Sequence, residues 1–259
     1  MRKNPLRKTP AECLSETIDL TKGDPREHAR HALALWRENP DVHEDYALAL
    51  ALALKDQPSQ PARAAGQDLL AQLAQGCSNV ALYNLAISKL TGDNTPVDPD
   101  GANTLLERVI ATEQEDRTLL SLAINAMADT FFFGWGKPIE LARALKLYQR
   151  AAALGCDEAA YNAGLFYHGK IKAWPGALDY NKAAHYYAIA AAAGHNFAIT
   201  NLALLHAGEM IDGADPEYGE RVLRMQAAEG DQEAAKALPI LAAARAANDR
   251  QVAEGKPAA

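Results

Sequence analysis

Apolar residues along this chain recur at three- and four-residue spacings, and no stretch of useful length alternates apolar with polar. That pattern predicts helices with one buried face and an all-α fold. The segment "DYNKAAHYYAIAAAAGH" (179–195) shows how the helices pack. Ala183, Tyr187, Ala190 and Ala191 share one helical face, and Ala144, Tyr148, Ala151 and Ala152 take the same places one unit earlier. A small–large–small stripe lets two helices approach closely while an aromatic ring fills the space above them. The tyrosines therefore read as packing residues whose hydroxyls find partners at the edge. His185, aligned with Lys146, Arg221 and Asp68, reads as solvated.

The stripe is part of a longer period. "KLYQRAAALGCDEAAYNAG" (146–164) matches "HYYAIAAAAGHNFAITNLA" (185–203) at a shift of 39 and "DLLAQLAQGCSNVALYNLA" (68–86) at a shift of 78. "RVLRMQAAEGDQEAAKAL" (221–238) continues the series, and "LLERVIATEQEDRTLLSLA" (105–123) fills the gap without a turn glycine. Repetition of this length indicates stacked helix pairs. Five units are expected, at about 41–77, 78–116, 117–156, 157–195 and 196–231. Gly76, Gly155, Gly194 and Gly230 stand where a helix end calls for positive φ. Ser78, Asp157 and Asp231 then read as N-caps, as do Asp24 before Pro25 and Asp215 before Pro216. Residues 1–40 would cap one end with two helices and 232–248 the other, with Pro239 bending or interrupting it. Residues 249–259 are expected to be disordered.

The chain has 259 residues, 49% hydrophobic and 23% charged, the balance of a folded protein. Its net charge of −7 argues against nucleic acid and anionic membranes. The only locally basic stretch is the short arm of Arg2, Lys3, Arg7 and Lys8. No secretory signal and no membrane span is legible. Cys13, Cys77 and Cys156 cannot all pair and form no C-x-x-C, which fits reduced thiols and a cytoplasmic location.

The motifs "AAYNAGLFYHG" (159–169), "DYNKAAHYYAIAAAAGH" (179–195), "ALYNLA" (81–86) and "ELARALKLYQRAAALGC" (140–156), with Gly134-Trp135-Gly136 as a loop, resemble the Sel1-like repeat family, relatives of the tetratricopeptide repeats. The resemblance implies a right-handed α-α superhelix, a solenoid in which each unit packs on its neighbours. It also implies binding of a protein or peptide partner on the face lined by the first helix of each unit. Some members staple their units with disulfides. Here Cys77 and Cys156 are read as equivalent places two units apart, on the order of 20 Å, which excludes a bridge. Members of the family include bacterial immunity proteins that neutralise a toxin, and hydrolase activity on cell-wall-type ligands has been attributed to some relatives.

Motifs for chemistry are missing. There is no phosphate-binding loop, no G-x-S-x-G and no H-E-x-x-H. His28 and His31 at i, i+3, and His43 before Glu44 and Asp45, lack the further ligands a zinc site needs. The expectation is a non-catalytic interaction scaffold without cofactor or metal, its oligomeric state unspecified. Asn84, Asn162 and Asn201 recur in the first helices and form a candidate ladder for a ligand's main chain. The alternative is that each Asn bonds a neighbouring helix. Around them the same face would carry Tyr83 and Ile87, then Asn125, Asp129 and Phe132. Tyr161, Leu165 and His168, then Phe197, Thr200 and Leu204, continue it, and about half of these must pack between units. Trp174, in the long loop 169–180, is a further contact candidate or a buried anchor.

Overall fold

The computed structural model describes residues 23–253, with side chains to Ala247. The basic arm, Cys13 and the first of the two expected N-terminal helices lie outside the described residues. The described residues form helices and no strand. The helices are α1 (Pro25–Glu38), α2 (Pro40–Lys55), α3 (Gln60–Gln75), α4 (Asn79–Thr91), α5 (Pro99–Thr112), α6 (Arg117–Phe133), α7 (Leu141–Ala153), α8 (Asp157–His168), α9 (Tyr180–Ala192), α10 (Asn196–Ala207), α11 (Pro216–Ala228) and α12 (Gln232–Ala253).

The chain divides into two compact units, Met1–Glu140 and Leu141–Ala259. In the first, each helix from α1 to α6 packs on the next, and α1 also reaches α3. Its core is aliphatic, built on Leu50, Leu54, Leu69, Leu70, Leu73, Leu82, Leu106 and Ile124, all fully buried. In the second, each helix from α7 to α12 packs on the next, and α10 also reaches α12. Here the buried residues of largest volume are Tyr148, Tyr187 and Phe166. Burying one such side chain contributes about 1.5–3 kcal/mol, so these few residues decide where each helix sits.

Glycines set the closest helix approaches, and the sequence supplies them from either helix of a pair. A Cβ on Gly66 in α3 would stand 2.5 Å from the Ala51 carbonyl oxygen of α2. One on Gly219 in α11 would stand 2.6 Å from the Ala203 carbonyl oxygen of α10. In the α8–α9 pair the glycine is on the other helix, Gly164, and faces the ring of Tyr187.

The turns from second to first helix reveal a register that differs from the sequence reading. The amides of Ser78, Cys156, His195 and Asp231 donate to the carbonyls of Leu73, Ala151, Ala190 and Gln226, the same six-to-one closure each time. The residue just before each is left-handed: Cys77 at φ 71°, Gly155 at 105°, Gly194 at 89° and Gly230 at 102°. Gly76 is not left-handed (φ −80°). Its glycine is required because a Cβ there would run into the Trp36 indole. Cys77 is thus the equivalent of Gly155, and Cys156 the equivalent of Ser78, which corrects the expected pairing of the two cysteines. For the same reason α8 is capped by Cys156, and Asp157 is its first helical residue.

Asp24, Ser78, Asp215 and Asp231 do cap their helices through side-chain oxygens. At the turn without a glycine, the Glu113 carboxylate accepts from the amides of Glu115 and Asp116, so the loop closes without a left-handed residue. α12 is not interrupted at Pro239 and continues to Ala253. Pro239 and Ala235, whose carbonyl it leaves without an amide donor, both lie on the exposed side, so that carbonyl is open to solvent. Residues 249–253 are accordingly helical, and 254–259 lie outside the described residues.

Candidate interaction surface

In the first unit the candidate residues sit on α4 and α6. Tyr83, Asn84 and Ile87, and Asn125, Asp129 and Phe132, are all half-buried. Asn84 Nδ2 donates to the Val80 carbonyl of its own helix at 2.9 Å. The Asn125 side-chain oxygen is closed off from solvent with no protein partner. Phe132 meets Phe133 edge-on at 4.8 Å, and Phe133 stacks on Trp135, so the loop after α6 carries an aromatic cluster.

The second unit brings several candidates together. Tyr161 of α8 lies beside Tyr187, His195 and Phe197, at 6.0, 4.4 and 6.3 Å between ring centres. Burial, with Glu233 and Glu158 nearby, holds its pKa above the usual tyrosine value, and the neighbouring Asn201 side chain offsets this in part. Asn201 is 4% exposed and its Oδ1 is sealed from water. Thr200 is 1% exposed, and its hydroxyl donates to Asp231 Oδ2 at 2.7 Å, tying α10 to the N-terminus of α12. Thr200 therefore ties two helices together, and Asn201 is enclosed beside it. Asn162, Leu165 and Leu204 are half-buried, and Phe197 is 63% exposed.

His168 and Trp174 belong to the packing more than to an open face. His168 Nδ1 is 3.0 Å from the Tyr187 hydroxyl, and its ring stands edge-on to Tyr180 and Tyr187. Burial, and secondarily Lys170, lowers its pKa to about 4, so the ring is neutral at pH 7 and Nδ1 can accept from Tyr187. Trp174 is half-buried and edge-on to the buried Phe166 at 5.3 Å.

Sequence reasoning passed over His195 and the carboxylates beside it. His195 caps α10 by accepting from Ala198, stacks on Tyr161, and lies 3.2 Å from Glu158. A residue at the cap place of the repeat, next to an aromatic in the unit before, is the signal that was available. The described residues contain clefts in both units. One of 740 Å³ in the first is bordered by Glu44, Asp45, Cys77, Glu113, Glu115 and Asp116. One of 710 Å³ in the second lies between the N-terminus of α10, the end of α11 and the start of α12. Cys77 is exposed and Cys156 buried, and burial raises the Cys156 thiol pKa. No described helix is long and apolar enough to cross a membrane.

Comparison with known proteins agrees with the helix-pair architecture. The Sel1 repeat family matches residues 79–108, 121–156 and 157–195. A Sel1 repeat protein from Oxalobacter formigenes superposes with a TM-score of 0.62 at 20% identity, over 81% of this chain and 86% of that one. A protective antigen of uropathogenic Escherichia coli strains, displaying an SLR fold, superposes with a TM-score of 0.57 at 15% identity, over 84% of this chain and 49% of that one. At such identities the likeness concerns the fold alone. No curated protein matches the sequence significantly. The fold is an all-α repeat solenoid, and three stretches of the chain between residues 79 and 195 match the Sel1 repeat.

Proposed function

We propose that the chain is a non-catalytic scaffold that binds a segment of a protein partner on the first-helix faces of its repeats. Sel1 repeats typically mediate protein–protein interaction. The observation that carries this reading is the character of those faces: Tyr83 and Ile87 on α4, and Asn162 and Leu165 on α8, are partly open aromatic, apolar and amide groups with little charge. That mixture suits the centre of an interface better than a solvated surface. Within the Asn ladder, Asn162 is the better contact candidate, because Asn84 is bonded to its own helix and Asn201 is buried.

The test is a pull-down from source-cell lysate with wild type and an Asn162→Ala/Leu165→Ala variant of matched helicity and melting temperature. A partner retained by wild type and lost by the variant is the expected result. The same partner on both would overturn the assignment to this face.

A further inference from the structure

The cleft of the second unit has a chemistry of its own. Its wall is Phe197, 63% exposed at the start of α10. That ring is backed by the stacked pair Tyr161–His195, at 6.3 and 6.1 Å between centres. A large aromatic left open on a rigid aromatic base is costly to hydrate and supplies a flat, preorganised surface.

The opposite side is acidic. Glu229, Asp231 and Glu233 line the cleft, and Lys236 stands on the same rim. Asp231 is committed inside the fold, to the amides of Glu233 and Ala234 and to Thr200. Glu229 is held only by a 3.3 Å bond from Gln226, and Glu233 by a 3.7 Å ion pair with Lys170. Repeat register explains the juxtaposition: Glu158, Phe197 and Glu233 occupy the same place in three successive units, the second residue after the cap. The Glu158 carboxylate is taken by His195, which leaves the Phe197–Glu233 pair facing the opening.

We infer that this cleft is a receptor for an arginine side chain of the partner polypeptide, the guanidinium lying on the Phe197 ring and forking onto the Glu229 and Glu233 carboxylates. This rests on the scaffold reading above and adds a partner chemistry to it. Charge complementarity and shape favour arginine. A planar, weakly hydrated guanidinium stacks on an aromatic face while bonding carboxylate, whereas an ammonium keeps its water shell. Lys236 sets the strength, since its charge opposes an incoming cation.

The test is titration of the ¹⁵N-labelled full chain with Nα-acetyl-arginine methylamide, Nα-acetyl-lysine methylamide and the neutral glutamine analogue, followed by amide chemical shifts. The arginine probe is expected to shift amides at 196–199 and 229–233 saturably. Phe197→Ala and Glu233→Gln should each weaken it roughly threefold to fivefold, and Lys236→Ala should tighten it. Phe197 is exposed, so its loss leaves the fold intact. Equal response to arginine and lysine, indifference to Phe197→Ala, or shifts centred on the acidic cleft of the first unit would overturn the inference. A partner lost with Asn162→Ala/Leu165→Ala but retained by Phe197→Ala/Glu233→Gln would overturn this inference alone and leave the scaffold reading standing.

Discussion

Replacing Gly164 by Ala tests the packing of the α8–α9 pair, on which the placement of the Tyr161 face depends. A Cβ at residue 164 would stand 2.5 Å from Tyr187 Cε1 and 2.6 Å from Cδ1. Ordinary carbon–carbon contact is about 3.5–4.0 Å, so the ring must retreat by about 1 Å. It has little room to do so. Tyr187 is fully buried, with its hydroxyl against His168 Nδ1 and its ring beside Tyr161. Overpacking of this kind costs about 1–3 kcal/mol, and the pinned ring puts it at the upper end. Alanine's better helix propensity offsets about 1 kcal/mol. The net loss is about 2 kcal/mol, or roughly 4–8 °C in Tm for a chain of this size. Urea unfolding followed by circular dichroism at 222 nm measures it. Tyr187→Leu, which removes the ring edge, should make Gly164→Ala far less costly when the two are combined. A neutral or stabilising Gly164→Ala, or a penalty unchanged in the Tyr187→Leu background, would refute the reasoning.

Cys77→Gly should stabilise the chain by about 1 kcal/mol, because Cys77 is exposed and held at φ 71°, a conformation that glycine adopts without strain. Thermal melts of the two proteins under reducing conditions check this. Thr200→Val should cost about 1 kcal/mol at neutral pH through loss of the bond to Asp231. The loss should be pH-dependent: desolvation pushes the Asp231 pKa up, but its bonds from Ala234, Thr200 and Glu233 together hold it below 3.8. A carboxylate depressed in the fold contributes stability above its unfolded pKa and loses it as pH falls through the folded value. The deficit of Thr200→Val should therefore shrink as acid unfolding curves are taken from about pH 5 down through the depressed folded pKa. Tyr187→Phe should cost about 1 kcal/mol, since the half-buried His168 nitrogen loses its partner, and the His168 ring shifts in NMR should move while the far-ultraviolet spectrum stays unchanged.

The sequence by itself determined the repeat, its helix-pair units and most of the caps. These features are local: apolar spacing of three and four residues, Asp or Ser before a helix, and stripes such as Ala183–Tyr187–Ala190 each act within one or two turns. The tertiary structure decided what locality leaves open. Cys77 and not Gly76 takes the left-handed place, and Gly76 is glycine for another reason: Trp36, forty residues earlier, occupies the space a side chain at 76 would need. Candidate face residues differ in fate for the same reason. Asn162 and Asn201 hold equivalent places in the repeat, yet Asn201 is sealed under its neighbours while Asn162 stays partly open. Phe197 is left exposed where Glu158 and Glu233 hold the same place in adjoining units, and only the approach of Phe197 and Glu233 on separate helices makes a cleft. Burial and charge contact depend on which distant side chains arrive, and a period read along one strand of sequence carries no information about that.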